Sequence, residues 1–137
     1  MKKLALLFLP VVLLWSSCSK DNTPAPPIDE SEWLNQDRGV VVASSFQCDF
    51  YVVETRYGYA VMRNWGGFAP IRGAVLYGRF NGFGVHTFYN RSEGYLMTAD
   101  IRDLTPSYFL AIDQMNWNCS QLNGNWKTVP ADSTQQN

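Results

Sequence analysis

Between residues 40 and 101 the chain is a succession of short runs rich in β-branched and aromatic residues, each closed by a polar or glycine-bearing turn. That punctuation limits the fold to an antiparallel arrangement of short strands. Val40 to Ala43 is the first candidate strand. Phe50–Thr55 (FYVVET) and Tyr59–Trp65 (YAVMRNW) follow, and Arg56-Tyr57-Gly58 between them reads as a three-residue hairpin loop. Gly66, Gly67, Pro70 and Gly73 punctuate a longer turn. Ala74–Phe80 and Phe83–Tyr89 then flank Asn81-Gly82, the residue pair that a two-residue type I′ turn demands. Such a turn sets Phe80 opposite Phe83, Gly78 opposite Val85 and Tyr77 opposite His86. It assigns Ala74, Leu76, Phe80, Phe83, Val85 and Tyr89 to the core, and Tyr77, Arg79 and His86 to the other face. Gly78 in mid-strand marks a bend or a close approach. Asn90–Gly94 is the next turn and Tyr95–Ile101 the next strand.

Two segments have helical character. Residues 31–38 (SEWLNQDR) read as one or two turns capped by Ser31 and stopped by Gly39. Thr105-Pro106 has the form of an N-cap followed by proline. Tyr108, Ile112, Met115 and Cys119 then recur at the spacing of one helix face. Phe109–Asp113 could instead be a strand. The helix would carry Cys119 inward toward Cys48. The expected fold is mainly β (α+β): a small, strongly bent antiparallel sheet or barrel of five or six strands with one C-terminal helix, of OB-like or SH3-like size. Gly78, Gly82 and Gly84 suit tight curvature.

The first eighteen residues carry an address. Lys2 and Lys3 precede an apolar run from Leu4 to Trp15, broken only by Pro10, and Ser16-Ser17 lead into Cys18. This is the layout of a secretory signal. The apolar run is shorter than the about 20 residues that span a bilayer. Small residues ending at a cysteine resemble the bacterial lipobox, with Trp15 where that pattern commonly holds Leu, Val or Ile. The resemblance implies cleavage before Cys18 and a diacylglycerol on its thiol. The protein would then be anchored to the outer membrane, on its periplasmic or its cell-surface side, without crossing it. Lys20-Asp21 resembles the surface-export signal of some Gram-negative bacteria. On this reading residues 1–17 are signal peptide and 18–30 are the lipidated cysteine with a proline-rich tether. Residues 31–127 form a single β-rich domain, and 128–137 a flexible polar tail.

With Cys18 lipidated, Cys48 and Cys119 remain. An even number in an oxidising compartment predicts a disulfide. Lys2 and Lys3 leave with the signal, so 9 of the 11 basic residues remain against 12 acidic ones, a net charge of −3 with no basic run. That balance disfavours nucleic acid and anionic headgroups as partners. One histidine, His86, must serve any triad, and no serine has a G-x-S-x-G setting. Asp100, Asp103 and Asp113 read as caps and solvated turns, not as metal ligands. No catalytic set, metal site or cofactor is expected.

Aromatic residues are 15% of the chain. A small barrel does not bury them all, and Tyr and Trp suit wet contact surfaces. Trp65 and Phe68, in the glycine-rich Trp65-Gly66-Gly67-Phe68 segment, are the first ligand-binding candidates. Tyr57 in the hairpin loop and Trp126 follow, with Tyr77, Arg79 and His86 as further contacts on a strand face. The expected function is a non-catalytic binding domain on a membrane-anchored lipoprotein, taking a glycan or a protein through aromatic loop residues. The alternative is a structural or accessory lipoprotein bound to another envelope protein, and a small hydrolase or protease inhibitor ranks last. Cys18→Ser is expected to abolish incorporation of a palmitate analogue and leave the precursor uncut. A labelled Cys18→Ser chain would overturn the lipobox reading.

Overall fold

The computed structural model describes residues 26–122. Cys18, the signal segment, Trp126 and the tail lie outside the described residues. The elements are α1 (Glu30–Leu34), β1 (Asp37–Ser44), β2 (Phe50–Thr55), β3 (Gly58–Asn64), β4 (Val75–Gly78), β5 (Gly84–Asn90), β6 (Tyr95–Thr105) and α2 (Tyr108–Leu122). The strands form a closed barrel in the order β1-β2-β3-β6-β5-β4, with β1 pairing back onto β4. Every pairing is antiparallel. The mainly-β fold expected from the punctuated runs is therefore present, and closure removes the free edges an open sheet would expose.

Two apolar layers hold it. Val41, Tyr51, Val53, Ala60, Met62, Leu76, Phe88, Ala99 and Ile101 are buried together in one cluster inside the barrel. Phe50, Val52 and Val61 point outward, where Ala111 and Met115 of α2 cover them. β2 and β3 are thus buried on both faces, which is why FYVV and AVM are nearly continuous apolar runs. Each fully buried Val, Leu, Ile, Met or Phe among them contributes about 1.5–3 kcal/mol.

α2 is a helix throughout Phe109–Asp113, and it begins later than Thr105-Pro106 implies. Thr105 ends β6, and its Oγ1 accepts the Ser107 N–H at 3.2 Å. Ser107 is the capping residue: its Oγ accepts the Leu110 N–H at 3.4 Å and its carbonyl accepts the Ala111 N–H at 3.1 Å. Ile112, Met115 and Cys119 face the β2–β3 layer, and Tyr108 packs edge-on against Tyr59 with ring centroids 5.6 Å apart. The expected disulfide joins Cys48 to Cys119, 71 positions apart, with their Cα atoms separated by 5.5 Å. By the chain-entropy account a loop of that length is stabilised by about 4 kcal/mol.

The β4–β5 hairpin departs from the Asn-Gly expectation. Leu76 pairs with Asn90, Tyr77 with Tyr89 and Gly78 with Phe88, three residues away from the type I′ register. An odd shift turns every β5 side chain to the opposite face. Phe88 enters the core, while Phe83 and Val85, expected inside, are 65% and 50% exposed. The cause lies at Gly78. A Cβ there would overlap the Phe88 ring, so glycine makes the space the ring fills. Phe80 packs on Phe88 with centroids 4.9 Å apart. Burying both rings inside the barrel outweighs the preference for one turn type.

Smaller corrections follow the same logic. The β2–β3 turn has two central residues, since Thr55 pairs directly with Gly58, whose φ is 116°. β6 runs on to Thr105 instead of ending at Ile101. Asp100, read as a turn residue, is buried in β6 and accepts from Arg102 at 3.0 Å. α1 is capped by Asp29, not Ser31: Asp29 Oδ1 accepts the Ser31 hydroxyl at 2.6 Å and its N–H at 3.0 Å, which lowers the Asp29 pKa. Gly39 does not stop that helix but lies in β1, where a Cβ would overlap Val53 and Phe80. α1 instead lies on the outer barrel wall. The Tyr89 hydroxyl donates to Glu30 Oε1 at 2.6 Å, and Trp33 packs on Tyr89.

Gly78→Val is expected to cost about 1–3 kcal/mol by overpacking. For a domain this small, each kcal/mol lowers Tm by about 4–8 °C. Gly82→Ala, with nothing within 4 Å of the added carbon, is expected to stay within about 0.5 kcal/mol. Thermal unfolding followed by circular dichroism separates the two, and equal shifts would rule out the Gly78–Phe88 approach.

Candidate functional site: an aromatic rim at one end of the barrel

Strand direction sorts the connections into two ends. One end carries residues 45–49 between β1 and β2, residues 65–74 between β3 and β4, and the Asn90–Gly94 turn. The other carries the Arg56-Tyr57 turn, residues 79–83 and the entry to α2.

The 65–74 connection is held from below. Asn64 is buried at the end of β3, and its Nδ2 donates to the carbonyls of Gly66 at 2.7 Å and Phe68 at 2.9 Å. The Trp65 N–H donates to Thr98 O on β6 at 2.9 Å. Gly66 and Gly67 take φ of 85° and 72°, a region that favours glycine. Pro70 is fully buried and Ala69 packs against the barrel core, so both seal this end. Trp65, Phe68 and Ile71 are left outside.

The neighbouring 45–49 loop adds Phe46. Phe46 and Phe68 are 94% and 93% exposed, and Trp65 is 60% exposed. They form one rim. Phe46, Asp49 and Phe68 line a cleft of about 150 Å³. Phe68 and Trp65 line the next, of about 340 Å³. Trp65 also walls a third, of about 290 Å³, with Asp49, Arg63 and Asn64. The Asn64 N–H donates to Asp49 O at 2.8 Å, which locks the two loops together. The Cys48–Cys119 disulfide ties the Phe46 loop to α2. Inside the barrel, burial raises the Tyr51 pKa, and the Tyr51 hydroxyl has no hydrogen-bond partner among the described residues.

The structure thus brings Trp65 and Phe68 together and separates the other expected contacts. Tyr57 is exposed at the opposite end, with the Arg56 guanidinium 4.7 Å above its ring. Tyr77 is buried, on the outer face where α1 lies against β4. Arg79 leaves the strand and donates from Nε to Asn81 Oδ1 at 3.0 Å. His86 pairs with Ala99, not Tyr77, and its Nε2 lies 3.2 Å from Phe83 O. Trp126 falls outside the described residues. The sequence reading missed Phe46, Asp49, Arg63 and Asn64. Only Phe46 carried a signal, as the one large apolar residue in Ser44–Asp49 (SSFQCD).

Among the described residues, no group of three or more His, Cys, Asp or Glu side chains could hold a metal ion. These features define a disulfide-stapled, six-stranded closed barrel with an aromatic rim. No known family, curated protein or solved structure matches the sequence.

Asn64→Ala removes the two side-chain hydrogen bonds that hold the loop and is expected to cost about 1–3 kcal/mol. Amide exchange should quicken over residues 65–69 and stay slow in β2. Asn64→Asp should behave alike, because a carboxylate cannot donate to two carbonyls. Unchanged exchange in the loop would show that it is held by other means.

Proposed function

We propose that this chain is a lipid-anchored, non-catalytic binding protein of the outer membrane, whose glycan or protein ligand docks on the aromatic rim. The observation that carries the reading is the exposure of Phe46, Trp65 and Phe68 on adjoining, internally hydrogen-bonded loops. Single exposed apolar residues are ordinary, but adjoining ones mark contact sites. Aromatic anchors dominate binding energy in such surfaces. The lipobox-like segment supports the membrane anchor, and Lys20-Asp21 supports the cell-surface side. A binding role is favoured over catalysis because His86, the single imidazole, lines none of the rim clefts.

The second reading, an accessory protein docked on another envelope protein, is favoured by α2. Leu110 and Trp117 are 56% and 58% exposed, two turns apart on its outward side. Asp113 and Gln114 interrupt that side. The outer β5–β6 face is no better, since Val85 lies opposite Asp100 and Thr87 opposite Thr98.

The test uses the mature chain, oxidised, with Cys18→Ser to keep it soluble. It is screened against soluble glycans and cross-linked on intact cells. Whatever ligand is found, Trp65→Ala and Phe68→Ala are each expected to weaken it at least about tenfold, about 1.4 kcal/mol. Tyr57→Ala and Trp117→Ala are expected to leave it unchanged. Loss with Trp117→Ala and not with Trp65→Ala would move the function to α2.

A further inference from the structure

Trp65 lines two adjacent clefts, each of mixed polar and apolar surface. On one side Phe68, Leu96 and Met97 bring apolar surface, and Asn64 and Thr98 polar groups, to about 340 Å³ of space. On the other, Asp49, Arg63 and Asn64 surround about 290 Å³. Resting on the reading of the rim as the ligand site, we propose that the two clefts are adjacent subsites for consecutive rings of a neutral oligosaccharide, with the Trp65 indole between them.

The charges argue for a neutral ligand. Asp49 and Arg63 bring one charge of each sign to the same cleft, and neither forms an ion pair among the described residues. An anionic group drawn to Arg63 would meet Asp49. Hydroxyls avoid that conflict, because each is both donor and acceptor, whereas a carboxylate only accepts and a guanidinium only donates. Two neighbouring sugar hydroxyls can satisfy both side chains with no net charge moved. Phe68, Leu96 and Met97 complement the C–H face of a pyranose, which an indole can stack against.

The dimensions argue for more than one ring. Each cleft lies near the lower limit of about 300 Å³ for ligand pockets, so one sugar unit fills it. A peptide anchor would bury one side chain in one deep pocket. An exposed indole that lines two adjoining clefts suits a chain of rings laid across it. The cleft that holds Asp49 and Arg63 is also positioned in advance, since the Asn64 N–H to Asp49 O bond fixes β3 against the loop that ends at Asp49.

The experiment is a fluorescence titration of the oxidised mature chain with Cys18→Ser. The probes are neutral gluco-, manno- and xylo-oligosaccharides of one to six units, with oligouronates of the same lengths for comparison. One neutral series is expected to bind at least about tenfold more tightly as the trisaccharide than as the monosaccharide. Asp49→Asn and Arg63→Gln are each expected to weaken it about tenfold at unchanged Tm, and Trp65→Ala to abolish it. Should either polar variant fail to fold, the length dependence of the unmutated chain still decides. Equal affinity for one and three units, preference for uronates, or no neutral binding would overturn the proposal. A Trp65-dependent protein partner found by cross-linking would overturn the glycan ligand and leave the binding rim standing. A ligand indifferent to Trp65→Ala would remove both.

Discussion

The barrel closes through the β1–β4 seam, and that seam depends on two glycines that give way to aromatic rings. Asp37 pairs with Gly78 and Gly39 with Leu76. Added carbons at Gly39 and Gly78 would strike Val53, Phe80 and Phe88. A six-stranded barrel has a narrow interior, so a few large side chains fill it and the wall must be thin where they lie. With Phe88 opposite Gly78, the β4–β5 register is set, and Asn90 is carried to the upper end. The 79–83 connection must then absorb the extra length that a tight Asn-Gly turn would have removed.

This dependence explains what could be read beforehand. Phe50–Thr55 was legible to the residue because a strand buried on both faces leaves an uninterrupted apolar run. The C-terminal helix and the disulfide were legible because the Tyr108-Ile112-Met115-Cys119 spacing delivers the second cysteine toward the first. The β4–β5 register was not. Asn81-Gly82 expresses a local preference, whereas the fit of Phe88 over Gly78 exists only once the chain has folded back. The caps missed by two residues for a related reason. Asp29 and Ser31, like Thr105 and Ser107, both offer oxygens, and the packing of each helix decides between them.

The site divides along the same line. Trp65 and Phe68 stood out as candidates because they flank two glycines in a loop. Asp49 and Arg63 could not, since barrel closure and the Asn64 N–H to Asp49 O bond make them neighbours of Trp65. Tyr57 has similar chemistry but lies at the opposite end of β3 from Trp65. Tyr77 and His86 depended on a register that the core rings overruled. The strands that feed the rim, β2 and β3, are the two sandwiched between the barrel core and α2. Side chains at the ends of such strands inherit their rigidity.

Cys48 lies two residues from Phe46 and one from Asp49, so the bond to Cys119 does more than shorten the unfolded chain. A free surface loop samples many shapes, and a ligand that selects one of them must oppose that spread. Here the spread is narrowed when the two thiols are oxidised. The entropy of arranging the β1–β2 loop is lost once, when the disulfide forms, before anything meets that loop.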